Sequence, residues 1–175
     1  ELIDQASKAG ADAVKIQTYR PDTITLDSAN PEFQIKSGLW AGRTLYELYE
    51  EAHLPWEWHA ELFEYAREKE ITLFSSPFDH TAVDLLESLN APAYKIASFE
   101  IVDTELIRYA ASTQKPLIIS TGLASTDDIE RAIQAANEVG NDRVIILHCV
   151  SAYPANPADY NLKTLVDKRN RFQSL

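Results

Sequence analysis

The sequence predicts an α/β fold in which parallel strands and helices alternate as part of a (β/α)8 barrel. Five short runs, AVKIQ, ITLFSSPF, APAYKIASFE, PLIISTG and VIILHCVSAY, are rich in β-branched and aromatic residues and bounded by Gly, Pro, Asn or Asp. Stretches of helical period separate them. The runs are also apolar almost throughout rather than alternately, the signature of parallel strands covered by helices.

The elements follow in order. Residues 1 to 9 read as a helix with Ile3, Ala6 and Ala9 on one face and Gly10 as its stop. A strand at 13–18 leads into a long segment from Arg20 to Leu54, and a helix from about Pro55 to Glu70 has proline in its first turn. A strand at 71–76 precedes a helix at 81–89 capped by Asp79, and a strand at 92–97 precedes a helix at 104–112 capped by Asp103. A strand at 116–120 leads to a helix from about Thr126 to Val139, with Ser125 as cap, Asp128 at the capping-box position and Gly140 as stop. A strand at 143–148 and a helix near 161–169 complete the chain.

In a (β/α)8 barrel the chemistry sits at the C-terminal strand ends and the loops that follow. Lys15, Gln17, Ser76, Phe78, Lys95, Ser98, Glu100, Ser120, Ser151 and Tyr153 are therefore candidates for one shared rim. With 175 residues, 45% hydrophobic and 25% charged, the chain reads as one globular unit without linkers. A complete barrel takes about 200 to 250 residues, so a chain that lacks Met and opens inside a helix is expected to be a piece of one. The net charge of -11 argues against generic nucleic-acid binding. A single cysteine, Cys149, excludes an internal disulfide and fits a reducing cytoplasm. No run is apolar enough to span a bilayer.

Lys15 and Lys95 stand inside apolar strands, where an unpaired ammonium would lose its proton or destabilise the fold. Each must face an anion. One reading pairs Lys15 with Asp22 or another carboxylate, and Lys95 with Glu100 or Asp103, as structural ion pairs. The other places both lysines on a phosphate or carboxylate ligand, with hydroxyls from Ser76, Ser98, Ser120 and Ser151 donating to the same oxygens. Taken singly, each serine could equally be a local cap. No GxSxG elbow, P-loop or GxGxxG is present, which leaves hydrolase, NTPase and dinucleotide readings unsupported. His53, His59 and His80 read as solvated surface residues and His148 as a rim residue; Cys149 reads as a small buried hydrophobe. Trp40, Trp56 and Trp58 are expected to pack a loop onto the barrel.

AVKIQTY, FSSPFD, AYKIASFE, IISTGLAS and LHCVSAYP, in this order, resemble the barrel of the sialic acid synthase family, enzymes that condense phosphoenolpyruvate with an amino-sugar aldehyde. The likeness runs through essentially the whole chain, and GLWAGRTLYELYEEAHLPWEW is more similar to the pseudaminic acid synthase branch than to the N-acetylneuraminate branch. The resemblance implies a partial TIM barrel, about strands 2 to 6, with residues 1–175 as a fragment of the catalytic domain and a C-terminal antifreeze-like domain absent.

The resemblance also implies roles. Lys15, Ser76, Lys95, Ser98, Ser120 and Ser151 would hold the phosphoenolpyruvate, and Gln17, Phe78, Glu100 and Tyr153 would face the sugar. Lys95 and Glu100 would be catalytic, Lys95 by orienting phosphoenolpyruvate and offsetting its charge, Glu100 by assisting the sugar or a proton transfer. Thr commonly stands in the family at Ser76, and Asn or Ser at Ser151; Val150 stands where the family often has Thr, which removes one hydroxyl. C3 of the enolpyruvate would join the aldehyde carbon while a divalent metal, Mn2+ or Mg2+, polarises the aldehyde oxygen. Water would then add at C2 and phosphate leave by C–O cleavage. The metal ligands are implied to lie beyond Leu175 and the catalytic glutamate before Glu1, so no metal ligand is assigned within the chain.

The acceptor implied is 2,4-diacetamido-2,4,6-trideoxy-altrose, with an N-acetylneuraminate or legionaminate synthase as the alternative. A non-catalytic sugar- or phosphate-binding barrel and a phosphoenolpyruvate-condensing enzyme acting on an aldose phosphate are further alternatives. The intact protein is expected to be a cytoplasmic, domain-swapped homodimer that binds neither nucleic acid nor membrane. These 175 residues alone are expected to be inactive and poorly folded as a monomer, because an open barrel leaves edge strands unpaired.

Overall fold

A computed structural model describes residues 1–152 and 154–172. Five parallel strands pair in chain order: β1 Ala13–Thr18, β2 Thr72–Pro77, β3 Tyr94–Ile96, β4 Leu117–Ser120 and β5 Val144–Leu147. Helices alternate with them: α1 Leu2–Lys8 before β1, α2 Pro21–Ile24, α3 Leu45–Ala52 and α4 His59–Glu68 before β2, then α5 His80–Ser88, α6 Thr104–Ser112, α7 Thr126–Asn137 and α8 Thr164–Phe172 after β2 to β5. This is the arrangement of consecutive units of a (β/α)8 barrel. All five expected strands form.

One face of the sheet packs against helices. Tyr94, Ile96, Leu117 and Ile119 are fully buried there with Val83, Leu86, Leu106, Ile107 and Ile129 from the helices. Burying a side chain of this kind contributes about 1.5–3 kcal/mol, so this seam is what holds the strands at fixed height. Capping then fixes where each helix begins. The Asp79 carboxylate accepts from Thr81 and Ala82 N–H, Asp103 accepts from Leu106 N–H, and Ser125 and Asp128 form a reciprocal box. Such caps contribute about 1 kcal/mol each, and each ends a loop that leaves a strand's C-terminal end.

Two expectations are corrected. His59 is not a surface residue: it is 0% exposed, because its ring is taken up by hydrogen bonds beneath β1 and β2. Within the long segment from Arg20 to Leu54, α3 forms behind a capping box between Thr44 and Glu47. Trp56 does pack, its indole N–H donating to the Tyr19 carbonyl at 3.1 Å and its ring lying 3.8 Å below the Arg20 guanidinium. Trp58, however, is 54% exposed. Among the described residues no helix is long and apolar enough to cross a membrane.

Candidate functional site

Strand register decides which side chains meet. Parallel partners point to the same side of a sheet, and neighbours along a strand to opposite sides. Lys15 pairs with Phe74 and Gln17 with Ser76, Ser75 pairs with the helix-facing Tyr94, Lys95 pairs with Ile118, and Ser120 pairs with Leu147. Alternation along each strand then puts Lys15, Gln17, Ser76, Lys95 and Ser120 on one face, away from the helices. Five of the residues expected at the rim therefore share one surface.

Lys95 is the centre of this face. It is 8% exposed, and its ammonium donates to the Ile96 carbonyl at 2.7 Å and to Ser120 Oγ at 2.5 Å. Among the described residues neither Lys15 nor Lys95 has a carboxylate within 4.0 Å, so the ion-pair reading with Asp22, Glu100 or Asp103 does not hold. Burial lowers the pKa of Lys95; the Cys149 thiol opposes that shift, Lys15 reinforces it and Glu100 opposes it. Lys15 stands on the edge strand and is exposed, yet crowding by the protein on one side also holds its pKa below the ordinary lysine value. Among the described residues, two lysines close enough to repel each other thus have no carboxylate within 4.0 Å.

The hydroxyls are oriented by what they already accept. Ser120 Oγ receives the Lys95 ammonium and, at 3.3 Å, the Cys149 thiol. Its own O–H is left to point at a ligand. Ser98 Oγ likewise accepts the Gly122 N–H at 3.2 Å. A methyl group on Gly122 would overlap Ser151 Oγ and lie 3.1 Å from Ser98 Oγ, which shows that both hydroxyls crowd the same backbone position. Ser76 is buried at the end of β2. Hydroxyl groups beside a buried ammonium are chemistry suited to holding an anion.

The residues expected at the sugar end are more dispersed. Gln17 is exposed on the edge strand, and Phe78 is half-buried, edge-on to Tyr19 with 5.5 Å between ring centroids. Tyr19 in turn meets Tyr49 of α3 at 5.6 Å, so the segment after β1 is stacked onto the loop after β2. Glu100 Oε2 is buried without a hydrogen-bond partner among the described residues. Burial raises the Glu100 pKa, and the attraction of Lys95 only partly opposes this. A cavity of about 230 Å³ lies here, lined by Thr23, Ile24, Phe78, Phe99, Glu100 and Asp103. Tyr153 lies outside the described residues.

Sequence reasoning missed several members. Cys149 is a half-buried thiol that helps orient Ser120 rather than an inert core residue; its position at the end of a strand was the available signal. Gly122 could have been read from STG as a close-approach glycine. Lys168 of α8 donates to Thr121 Oγ1, and both line a cavity of about 340 Å³ with His148, whose Nε2 donates to the Tyr160 carbonyl at 2.7 Å. His148 thus stands beside the strand ends, as expected of it.

The sequence model of the NeuB family matches residues 2–175. The pseudaminic acid synthase of Helicobacter pylori is 51% identical over 166 residues, which cover 95% of this chain and 49% of that protein. The pseudaminic acid synthase of Campylobacter jejuni serotype O:23/36 is 46% identical over 170 residues, covering 97% of this chain and 50% of that protein. The crystal structure of N-acetylneuraminic acid (sialic acid) synthetase from Leptospira borgpetersenii, in complex with citrate, superposes with a TM-score of 0.83 at 29% identity, covering 98% of this chain and 55% of that one. The chain spans about half the length of the curated relatives it matches.

Proposed function

The chain belongs to the NeuB family, and from that premise we propose that it forms the phosphoenolpyruvate-binding part of a nonulosonic acid synthase. The observation that carries this reading is Lys95, 8% exposed, without a carboxylate within 4.0 Å among the described residues, and donating to Ser120 Oγ, which also accepts from the Cys149 thiol. A ligand with several anionic oxygens would restore the missing charge.

In the proposed reaction Lys15 and Lys95 bind and orient phosphoenolpyruvate, with Ser76, Ser98, Ser120 and Ser151 donating to its carboxylate and phosphate. C3 of the enolpyruvate attacks the aldehyde carbon of an open-chain amino sugar, forming the new C–C bond. Water adds to C2, and the tetrahedral intermediate expels inorganic phosphate by C–O cleavage, leaving a 2-keto acid. The lysines supply electrostatic stabilisation and positioning. Gln17, Phe78 and Glu100 face the sugar, and the resemblance assigns Tyr153 to it as well.

Among the described residues no three His, Cys, Asp and Glu side chains stand close enough together to hold a metal ion. The divalent metal, Mn2+ or Mg2+, therefore belongs to the proposal for the whole protein, and no step here runs through it. The acceptor proposed is 2,4-diacetamido-2,4,6-trideoxy-altrose, supported by 51% identity to a pseudaminic acid synthase.

The test is phosphate release from phosphoenolpyruvate by the whole protein, assayed with several amino sugars. Release with the trideoxy sugar is expected. Release only with N-acetylmannosamine would overturn the choice of acceptor, and release with none would overturn the synthase reading.

A further inference from the structure

The Cys149 thiol stands just past the end of β5, against the anion side of the rim. Its Sγ lies 3.3 Å from Ser120 Oγ, the same oxygen that takes the Lys95 ammonium at 2.5 Å. A thiol has a single proton to give. The other acceptor in reach, the Leu147 carbonyl, is farther, at 3.7 Å, and already accepts from the Thr121 hydroxyl at 2.8 Å. The thiol proton therefore goes to Ser120.

What points to a ligand here is Lys95 rather than the thiol. It is 8% exposed, it gives one N–H to the Ile96 carbonyl and one to Ser120, and among the described residues it has no carboxylate within 4.0 Å. Its third N–H is left for an anion. Ser120, equally 8% exposed, has two lone pairs and one proton to place. With Lys95 on one lone pair and Cys149 on the other, its only remaining bonding capacity is its own O–H. That hydroxyl is held as a donor beside the ammonium.

We infer that Cys149 is a positioning residue: by filling the second lone pair of Ser120 it fixes that serine as a hydrogen-bond donor to the anion that Lys95 holds. This rests on the phosphoenolpyruvate-binding reading and adds to it a residue that acts through Ser120. An S–H group is a weak donor, so its contribution is one of direction, and a hydroxyl in its place does the same work. A small apolar filler, the commoner role of a free cysteine, makes the opposite demand. Valine satisfies a filler and serine does not; serine satisfies a donor and valine does not.

The experiment compares Cys149→Ser, Cys149→Ala and Cys149→Val with the wild type in the whole protein. Calorimetric titration with phosphoenolpyruvate alone gives Kd, and phosphate release with the amino sugar gives KM for each substrate. Kd and KM for phosphoenolpyruvate should stay within about twofold of wild type in Cys149→Ser and rise about fivefold in Cys149→Ala and Cys149→Val, the scale of one net hydrogen bond. The KM for the sugar should stay level in all three, which also shows that the fold is intact. Equal phosphoenolpyruvate affinity in all four proteins overturns the inference. So does the reverse order, with Cys149→Val like wild type and Cys149→Ser weakened, which would make Cys149 an apolar filler. An equal rise in KM for both substrates overturns it too, since the loop would then be distorted as a whole. No phosphoenolpyruvate binding by the wild type would instead overturn the anion-site reading, and this inference with it.

Discussion

Thr18 and His59 are joined by a hydrogen bond of 2.9 Å between Oγ1 and Nε2, with both residues 0% exposed. Its direction follows from the groups around it. His59 Nδ1 lies 3.1 Å from the Pro55 carbonyl, which can only accept, so Nδ1 carries the proton and Nε2 accepts from Thr18. With the Thr18 proton given to His59, the Ser75 hydroxyl, 2.7 Å from Thr18 Oγ1 and 3.2 Å from the Ile16 carbonyl, shares its proton between the two. The chain from Ser75 through Thr18 to His59 ties β2 to β1 and both to the start of α4. It lies on the helix side, and Gln17 and Ser76, one residue away along each strand, project from the other.

Thr18→Val should therefore destabilise the protein by about 1–3 kcal/mol, the cost of a buried acceptor left without a donor. Thr18→Val combined with His59→Leu should recover part of that loss, because both partners are then apolar. Burial holds the His59 pKa below its ordinary 6.5. The unfolded chain thus takes up the proton more readily, and the stability tied to neutral His59 is complete above 6.5 and lost as pH falls through the lowered value. Urea unfolding across this range checks both points: His59→Leu should flatten the acid side, and an unchanged slope would show that the imidazole does not titrate with folding.

The strands were legible because five apolar runs between turn residues admit few other readings, and the caps at Asp79, Asp103 and Ser125 because side-chain oxygens at helix starts act locally. Lys15, Gln17, Ser76, Lys95 and Ser120 were legible for the same reason: once strands are parallel and in order, register alone brings these positions to one face. His59 was not. Its burial depends on partners 41 and 4 residues away, and nothing in the spacing of a helix start announces a hydroxyl beneath it. The choice between an ion pair and a ligand at Lys95 also needed coordinates, because Glu100 and Asp103 are near in sequence yet neither reaches the ammonium.

Lys95→Met should separate function from stability. Replacing a buried charge that lacks a counter-ion with an apolar side chain of similar length relieves desolvation, so thermal stability should rise or stay level. Phosphoenolpyruvate binding should be lost. At about one hundred times its dissociation constant, phosphoenolpyruvate should stabilise the wild type by about 2.7 kcal/mol and leave Lys95→Met unmoved, a contrast that thermal shift measures directly. A clear fall in stability without ligand would mean that Lys95 serves the fold and not an anion.

Gly122→Ala tests the crowding around the serines. The added methyl would overlap Ser151 Oγ and press on Ser98 Oγ at 3.1 Å, so one hydroxyl must turn away. Overpacking of this kind costs about 1–3 kcal/mol. The KM for phosphoenolpyruvate should rise about tenfold or more while the KM for the sugar changes little. Equal changes in both would point to a general distortion of the loop after β4.

Glu100→Gln bears on the one carboxyl group that, among the described residues, has a buried oxygen without a hydrogen-bond partner. Burial raises its pKa above 4.5, the Asp103 charge adds to that, and a backbone hydrogen bond and Lys95 pull the other way without cancelling it. The folded protein therefore holds the Glu100 proton more tightly than the unfolded chain. The associated stability is complete below 4.5 and declines as pH rises from there through the raised value. If the carboxylate accepts a proton or a hydrogen bond from the sugar, the acid limb of kcat/KM should lie above that of an ordinary glutamate. The amide keeps the shape of the side chain and cannot ionise. It should remove that limb, lower kcat/KM by about a hundredfold, as loss of a proton-transfer group does, and flatten the decline in stability at the same pH. A profile of kcat/KM against pH that keeps its acid limb in Glu100→Gln would assign the limb to another group and reduce Glu100 to a wall of the sugar cavity.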